Sequence, residues 1–198
     1  MAGGFWTGNT SGVAMPKRQS RWLLTVGDIP TWVCKSVSKP SYTIGESAHR
    51  FLNHTFYFPG RLEWNTINVT LVDPVDPDIS RAMLDLTRRA GYNYPADATE
   101  AQAILSKSGM VSSLGGVTLT QLGPSTSVAG AATTKVTEGF KAAPGAPIES
   151  WTLHNAWIQS VNFGTLSYDS DELVDIAVVF RYDYAEFKAK GASKNLFG

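Results

Sequence analysis

The chain has 198 residues, 43% of them hydrophobic, which suits one domain with decorations and excludes disorder throughout. Lys+Arg and Asp+Glu balance at 17 each, which excludes the basic excess that wrapping a phosphate backbone requires. Cys34 is the single cysteine, so an internal disulfide and a thiolate zinc cluster are excluded and a reducing compartment fits.

Met1 to Ser20 is rich in Gly, Thr, Ser and Asn, has no periodicity, and carries isolated Phe5 and Trp6; it reads as a flexible arm. Its start lacks the basic and apolar regions of a secretory signal, and no later apolar run is long enough for a bilayer-spanning helix. The expectation is a protein that stays where it is made until assembly or lysis. Arg21 to Val26 and Trp32 to Val37 read as strands joined by Gly27-Asp28-Ile29-Pro30, a turn that suits a hairpin. Cys34 falls in the second of these and is expected to act as a small buried apolar side chain.

Ser41 to Gly60 holds an extended piece, Phe51 to Phe58, ended by Pro59-Gly60. In Trp64 to Val72, Ile67, Val69 and Leu71 alternate with Asn68 and Thr70, giving a half-buried strand. A helix follows, with Asp76 as N-cap, Pro77 at its first position, Ile79, Met83, Leu86 and Ala90 on one face, and Gly91 as its stop. Asp97 and Glu100, in capping-box spacing, start a second, weaker helix through Ala101, Ile104 and Leu105 towards Gly109.

From Gly109 to Pro147 only Val117 to Leu122 alternates convincingly, so the reading is one strand, a long loop and a short strand near Thr134 to Phe140. Trp151 to Ile158 reads as a further strand, and Phe163 to Glu172 as a short extended piece and an acidic turn. Val174, Ile176, Val178, Phe180, Tyr182 and Tyr184 then alternate with Asp175, Ala177, Val179, Arg181 and Asp183 in a last strand with one buried face. The sum is mainly β: two packed antiparallel sheets, a sandwich or open barrel of roughly six to eight strands, with one flanking helix.

Catalytic chemistry finds little support. His49, His54 and His154 lack metal-ligand spacing, and Asp169, Asp171, Glu172 and Asp175 lack the Gly and terminal Glu of an EF-hand, so a solvated turn is expected there. Gly45-Glu46-Ser47-Ala48-His49 misses the nucleophile elbow by its last residue, and Ser36-Val37-Ser38-Lys39 matches S-x-x-K without the partner motifs that the pattern needs. No phosphate-cradling glycine motif is present, and the three N-x-[ST] sequons have no meaning without secretion. The expectation is a protein with no enzymatic activity, no cofactor and no metal. Trp64, Trp151 and Trp157 lie in or beside strand patterns, where burial is the ordinary expectation. The competing class is a monomeric β-sandwich module, carbohydrate-directed, with exposed Trp residues as its site.

The order at the C-terminal end is a Trp-bearing strand, then Gly164-Thr165-Leu166-Ser167-Tyr168-Asp169-Ser170-Asp171-Glu172, then an alternating strand closing on Tyr182-Asp183-Tyr184. It resembles the C-terminus of the tail tube proteins of contractile-tailed bacteriophages. The likeness extends from Arg21 to Phe187: the strand, turn and Trp32 to Pro40 resemble the family's first hairpin. Phe51 to Gly60, Thr66 to Leu71 and the helix after Asp76 are similar to its loop, return strand and flanking helix. Residues 123–147 look like an inserted loop in a domain spanning 21–187, between an arm at 1–20 and a tail at 188–198.

The resemblance implies a structural virion protein whose inner sheets close into a hexameric ring barrel. Such rings stack into the inner tube of a phage tail, the conduit for genome ejection. It implies a tail sheath protein around the tube, baseplate and tail-terminator proteins at its ends, and DNA passing through without tight binding. Location in the virion, assembly in the host cytoplasm and no membrane insertion by this chain follow. Closing the inner sheets removes edge strands that invite uncontrolled pairing, and head-to-tail stacking does not close, so it makes a filament of rings. By resemblance Ser41 to Phe58 reaches an adjacent ring, with Phe51, Leu52 and Asn53 at its centre, while Phe5 and Trp6 in the arm and the tail Lys188 to Gly198 clamp neighbouring subunits. Asn68 and Thr70 are the candidates for the lumen wall, since a surface that DNA slides past should offer small neutral or acidic groups. The same architecture serves two alternatives, a baseplate tube initiator and a type VI secretion tube protein.

Overall fold

Three runs of strict alternation, Ile67–Val72, Val117–Leu122 and Asp175–Arg181, become inner strands of two four-stranded antiparallel sheets. The fold is taken from a computed structural model that describes the backbone of residues 7–8 and 12–13, and residues 17–92, 105–123, 147–169 and 171–189 in full. In chain order the strands are β1 (Thr7–Gly8), β2 (Gly12–Val13), β3 (Trp22–Val26), β4 (Cys34–Val37), β5 (Tyr42–Phe51), β6 (His54–Trp64) and β7 (Ile67–Val72). Helices α1 (Ile79–Arg89) and α2 (Lys107–Leu114) precede β8 (Val117–Leu122), β9 (Pro147–His154), β10 (Trp157–Asn162), β11 (Asp175–Arg181) and β12 (Tyr184–Ala189).

The first sheet has the order β10-β11-β7-β4 and the second β12-β9-β8-β3. Every second residue of the inner strands points inward, and Ile67, Val69, Leu71, Ile176, Val178 and Phe180 of the first sheet join Leu24, Val26, Val117, Leu119 and Leu153 of the second in one buried cluster. The expected core face of the last strand is therefore present at Ile176, Val178, Phe180 and Tyr182. Strands β1 and β2 pair only with each other, and so do β5 and β6.

Two strands that the sequence reads as continuous are broken, both at the seam between sheets. Asn155 takes a left-handed conformation (φ 54°), so the run Trp151 to Ile158 becomes β9 in the second sheet and β10 in the first. The last strand is likewise interrupted at Tyr182-Asp183: β11 belongs to the first sheet and β12 to the second. Tyr184 thus leaves the core and is exposed. Strand β12 runs to Ala189, past the expected domain end.

Strands β3 and β4 do not form the expected hairpin. β3 pairs with β8 and β4 with β7, because the 27–33 segment, which includes a short 3-10 turn at Thr31–Val33, carries the chain from one sheet to the other. Helix α1 forms as expected, with Ile79, Met83 and Ala90 buried, but Asp78 and not Asp76 is the N-cap: its carboxylate accepts from Arg81 N–H at 2.8 Å. The Asp73 carboxylate also receives Ile79 N–H, Ser80 N–H and the Ser80 hydroxyl. Helix α2 is a second helix beside the one expected as firm, capped by Ser106 accepting from Gly109 N–H at 3.0 Å. The weaker helix expected from Asp97 lies outside the described residues up to Ile104, and at its expected end Leu105 and Ser106 are not helical, α2 starting afresh at Lys107; the strand expected near Thr134 lies outside the described residues.

Candidate assembly site

The β5–β6 ribbon forms a two-stranded sheet of its own beside the sandwich. Its ten- and eleven-residue strands give it a length of about 30 Å at ~3.3 Å per residue. Among the described residues the ribbon meets the sandwich at its root, where Trp64, stacked edge-on at 5.5 Å against its cross-strand partner Tyr42, lies 6.0 Å from the buried Tyr182. Asn65 N–H donates to Ser41 C=O at 2.9 Å and its side-chain amide to Ser41 Oγ at 3.1 Å. Two-stranded ribbons are marginal in water, so a ribbon built this long gains by lying on another surface.

The sequence supplies that surface chemistry. Cross-strand pairs Ser47/Phe58, His49/Phe56 and Phe51/His54 share one face, and Glu46/Pro59, Ala48/Tyr57 and Arg50/Thr55 the other. Phe51 is 62% and Leu52 88% exposed, and Ile44, Phe56, Tyr57, Phe58 and Leu62 are exposed with them. A soluble chain rarely leaves so many large apolar side chains contiguous unless a partner covers them. The Phe51-Leu52-Asn53 candidate contacts sit at the ribbon tip, where Leu52 adopts a positive φ of 51° in the turn. The run Phe56-Tyr57-Phe58, read from the sequence as part of an extended piece and by resemblance as part of the segment that reaches an adjacent ring, continues this apolar surface along β6, although its exposure was not part of that reading. The lack of polar alternation, with Pro59-Gly60 directly after it, was the available signal.

The outward face of the first sheet carries the lumen candidates. Asn68 is exposed and Thr70 half-buried on β7. Register places Asn68 beside Val179, itself opposite Ser160, and Thr70 between Ser36 and Ala177, the latter opposite Asn162. The result is a band of small, mostly neutral side chains, with Arg181 and Asp175 at the two ends of β11 and Asp175 paired to Lys35. Phe5 and Trp6 lie outside the described residues.

A polar plug closes another side of the sandwich. Glu149 is 5% exposed on the inward face of β9, yet both Lys17 and Lys39 pair with its carboxylate. Burial pushes the Glu149 carboxyl up, and the two ammonium groups outweigh it, leaving it below the usual carboxylate range. Neighbouring Gln121, also buried, donates to Arg18 C=O at 2.8 Å and Arg21 C=O at 2.6 Å. These bonds tie Lys17 and Arg18, from the stretch expected as an arm, and Lys39, at the β4 exit that leads to the ribbon, to the cross-strand pair Gln121 and Glu149 of β8 and β9.

The remaining polar candidates are dispersed. His49 and His54 are exposed on the ribbon, whereas His154 stacks on Tyr184 at 4.4 Å and lies 3.1 Å from Glu186. Among the described residues no group of three or more His, Cys, Asp or Glu is placed to hold a metal ion. Trp64, Trp151 and Trp157 are half-buried, the first two against the core. Cys34 also packs against the core while half-buried, and burial pushes its thiol up to about 11. No described helix is long and apolar enough to cross a membrane.

No protein-family model and no curated protein matches the chain. Among solved structures it is similar to a chain of the anti-feeding prophage tube-terminating cap, with TM-score 0.60, 15% identity, and 91% of this chain and 96% of that one covered. It is also similar to a chain of the six-fold symmetrised anti-feeding prophage baseplate (TM-score 0.56, 14% identity, coverage 90% and 99%). A third is a chain of the PVC extracellular contractile injection system sheath-tube complex in its extended state (TM-score 0.55, 16% identity, coverage 88% and 92%). The fold is thus one shared with chains of contractile particles, as the resemblance in the sequence implied.

Proposed function

We propose that this chain is a structural subunit of the tube of a contractile tail or contractile injection particle. Subunits form hexameric rings whose inner sheets close into a shared barrel, and the rings stack into a hollow conduit. A sheath surrounds the tube, and baseplate and terminator proteins meet its ends. In a phage virion the conduit passes the genome without gripping it, and the tube is assembled in the host cytoplasm. No catalytic step is assigned to the chain.

One observation carries this reading: a ribbon about 30 Å long, apolar on both faces and, among the described residues, meeting the sandwich at its root, stands off a sandwich with the contractile-particle fold. Unpaired outer strands support it, since β4, β10, β3 and β12 each lie at the edge of a sheet and closure into a ring gives edges partners. Phe51, Leu52 and Asn53 contact an adjacent ring, Phe5 and Trp6 of the arm at 1–20 dock on a neighbouring subunit, and the segment 188–198 clamps beside them. Asn68 and Thr70 line the channel. Native mass spectrometry and negative-stain microscopy of the purified full chain test this: six-membered rings and tubes are expected, and a chain that stays monomeric at every concentration overturns it.

A further inference from the structure

The charge balance of the whole chain hides two oppositely charged protrusions. The distal ribbon, residues 47–58, carries Arg50, His49 and His54 and no acid, the nearest carboxylate being Glu46 at the bulge. The connection between β10 and β11, residues 163–174, carries Asp169, Asp171 and Glu172 and no base. Both are apolar as well as charged. Phe51, Leu52, Phe56 and Phe58 stand open on the ribbon, and Leu166 (86%), Tyr168 and Leu173 stand open on the connection.

We infer that the distal ribbon of one subunit docks on the β10–β11 connection of a second copy of this chain. The inference rests on the tube-subunit reading above and names the two surfaces that meet. Leu52 and the ribbon phenylalanines cover Leu166, Tyr168 and Leu173, while Arg50 faces Asp169 and Asp171. All these side chains are solvent-exposed in the single chain, so each surface awaits a partner. Opposite charges around an apolar centre steer the encounter and fix the register, and a second copy is the one partner certain to carry the matching sign. Because the two surfaces differ, the contact is heterologous and propagates from subunit to subunit.

Charge exchange tests it. Arg50→Asp and Asp171→Arg should each weaken association of the full-length chain by about tenfold or more, because like charges then meet at the contact. The double variant Arg50→Asp/Asp171→Arg should recover most of the loss. Both positions are exposed, and unchanged thermal unfolding of each monomer verifies folding. Independently, Leu52→Cys/Leu166→Cys should give disulfide-linked multimers under oxidation. Wild-type assembly with single variants that assemble normally, or with no recovery in the double variant and no cross-link, overturns the docking while leaving the tube reading standing. A wild-type chain that never associates overturns both. Association only when another particle protein is added also overturns it, since the occupant would then not be a second copy.

Discussion

Asn155 Nδ2 donates to Asp183 Oδ2 at 2.8 Å, joining the corner between β9 and β10 to the corner between β11 and β12, at each of which the chain crosses from one sheet to the other. The backbone repeats the link, Asp183 N–H donating to His154 C=O at 3.0 Å. Lys107, the first residue of α2, reaches the same carboxylate at 2.6 and 2.7 Å. One side chain thus holds a corner of each sheet and a helix start in a single arrangement. Both corners must be fixed for β10 and β12 to present their edges in a defined geometry.

Asp183→Ala should lower stability by about 1–2 kcal/mol through these bonds, and Asn155→Ala by a similar amount, since Ala also disfavours the left-handed backbone. Asn155→Gly keeps the backbone and should cost less. Hydrogen bonds from Lys107 and Asn155 hold the Asp183 carboxyl below its usual range, so its folded value lies under its unfolded one. Its contribution is therefore full above the unfolded value near about 4 and disappears as pH falls through the folded value. Thermal melts of wild type and Asp183→Ala should converge on acidification; a constant gap would contradict the assignment.

The Glu149 pairs make a parallel case. Both lysines depress its carboxyl, so this stabilisation too is present above about 4.3 and is lost at lower pH. Glu149→Gln should lower the melting temperature at neutral pH, and the difference should close in acid. Because Lys17 and Lys39 enter from opposite sides of the chain order, limited proteolysis of the variant should also cut near residue 17 or 39 sooner. Unchanged melting and cleavage would show that Lys17 and Lys39 do not hold these segments.

What was legible in the sequence follows from which forces act locally. Alternation at Ile67–Val72, Val117–Leu122 and Asp175–Arg181 records one buried face, and the structure buries those faces. The corners were not legible, because alternation continues across Tyr182-Asp183 while pairing changes sheet, and pairing partners lie far away in sequence. Helix α2 was missed because Lys-Ser-Gly-Met-Val-Ser-Ser-Leu has no apolar stripe. Its Gly109 answers to tertiary packing, since a Cβ there would come within 2.8 Å of Ala90 C=O. The ribbon tip at Phe51-Leu52-Asn53 came from family resemblance, whereas Phe56, Tyr57 and Phe58 are exposed because, among the described residues, no element covers them. Sequence alone does not record that absence.

Phe180→Asp puts a carboxylate at a position 1% exposed between the sheets, with cross-strand neighbours Ile67 and Ile158. An unpaired buried charge costs several kcal/mol against a typical domain stability of about 5–15 kcal/mol, so the chain should unfold or precipitate. Arg181→Asp, exposed on the other face, should fold and melt close to wild type. Equal melting of Phe180→Asp and wild type would refute the face assignment.

Gly60 and Gly45 face each other where the ribbon register shifts between Ile44 and Glu46. A Cβ at Gly60 would lie 3.0 Å from Gly45 C=O, so Gly60→Val forces the strands apart at the bulge that sets the direction of the distal ribbon. The sandwich does not depend on that crossing. The expected phenotype is a monomer with nearly unchanged melting temperature and impaired tube formation by negative-stain microscopy. Tubes of normal length from this variant would argue against a fixed ribbon direction as a requirement for stacking.

Asn68→Lys/Thr70→Lys tests the channel wall. Both side chains lie on the outward face of the first sheet, flanked by Val179 and Ala177, so two lysines there meet solvent and leave the core intact. Folding and ring formation should be preserved. In the proposed tube, where the face would repeat around a six-membered ring and along a stack, the added cations would turn a band of small neutral groups into a row of phosphate-binding sites. A polyanion in transit would then be held by counterion release instead of passing freely. Purified variant tubes should therefore retain single-stranded DNA at low salt and release it as salt rises, whereas wild-type tubes retain little. In a particle that delivers a genome, the same change should slow or stop delivery. If variant tubes retain no more DNA than wild type, or if the lysines are fully reactive towards reagents too large to enter a tube, this face lies outside and the channel is lined by another surface.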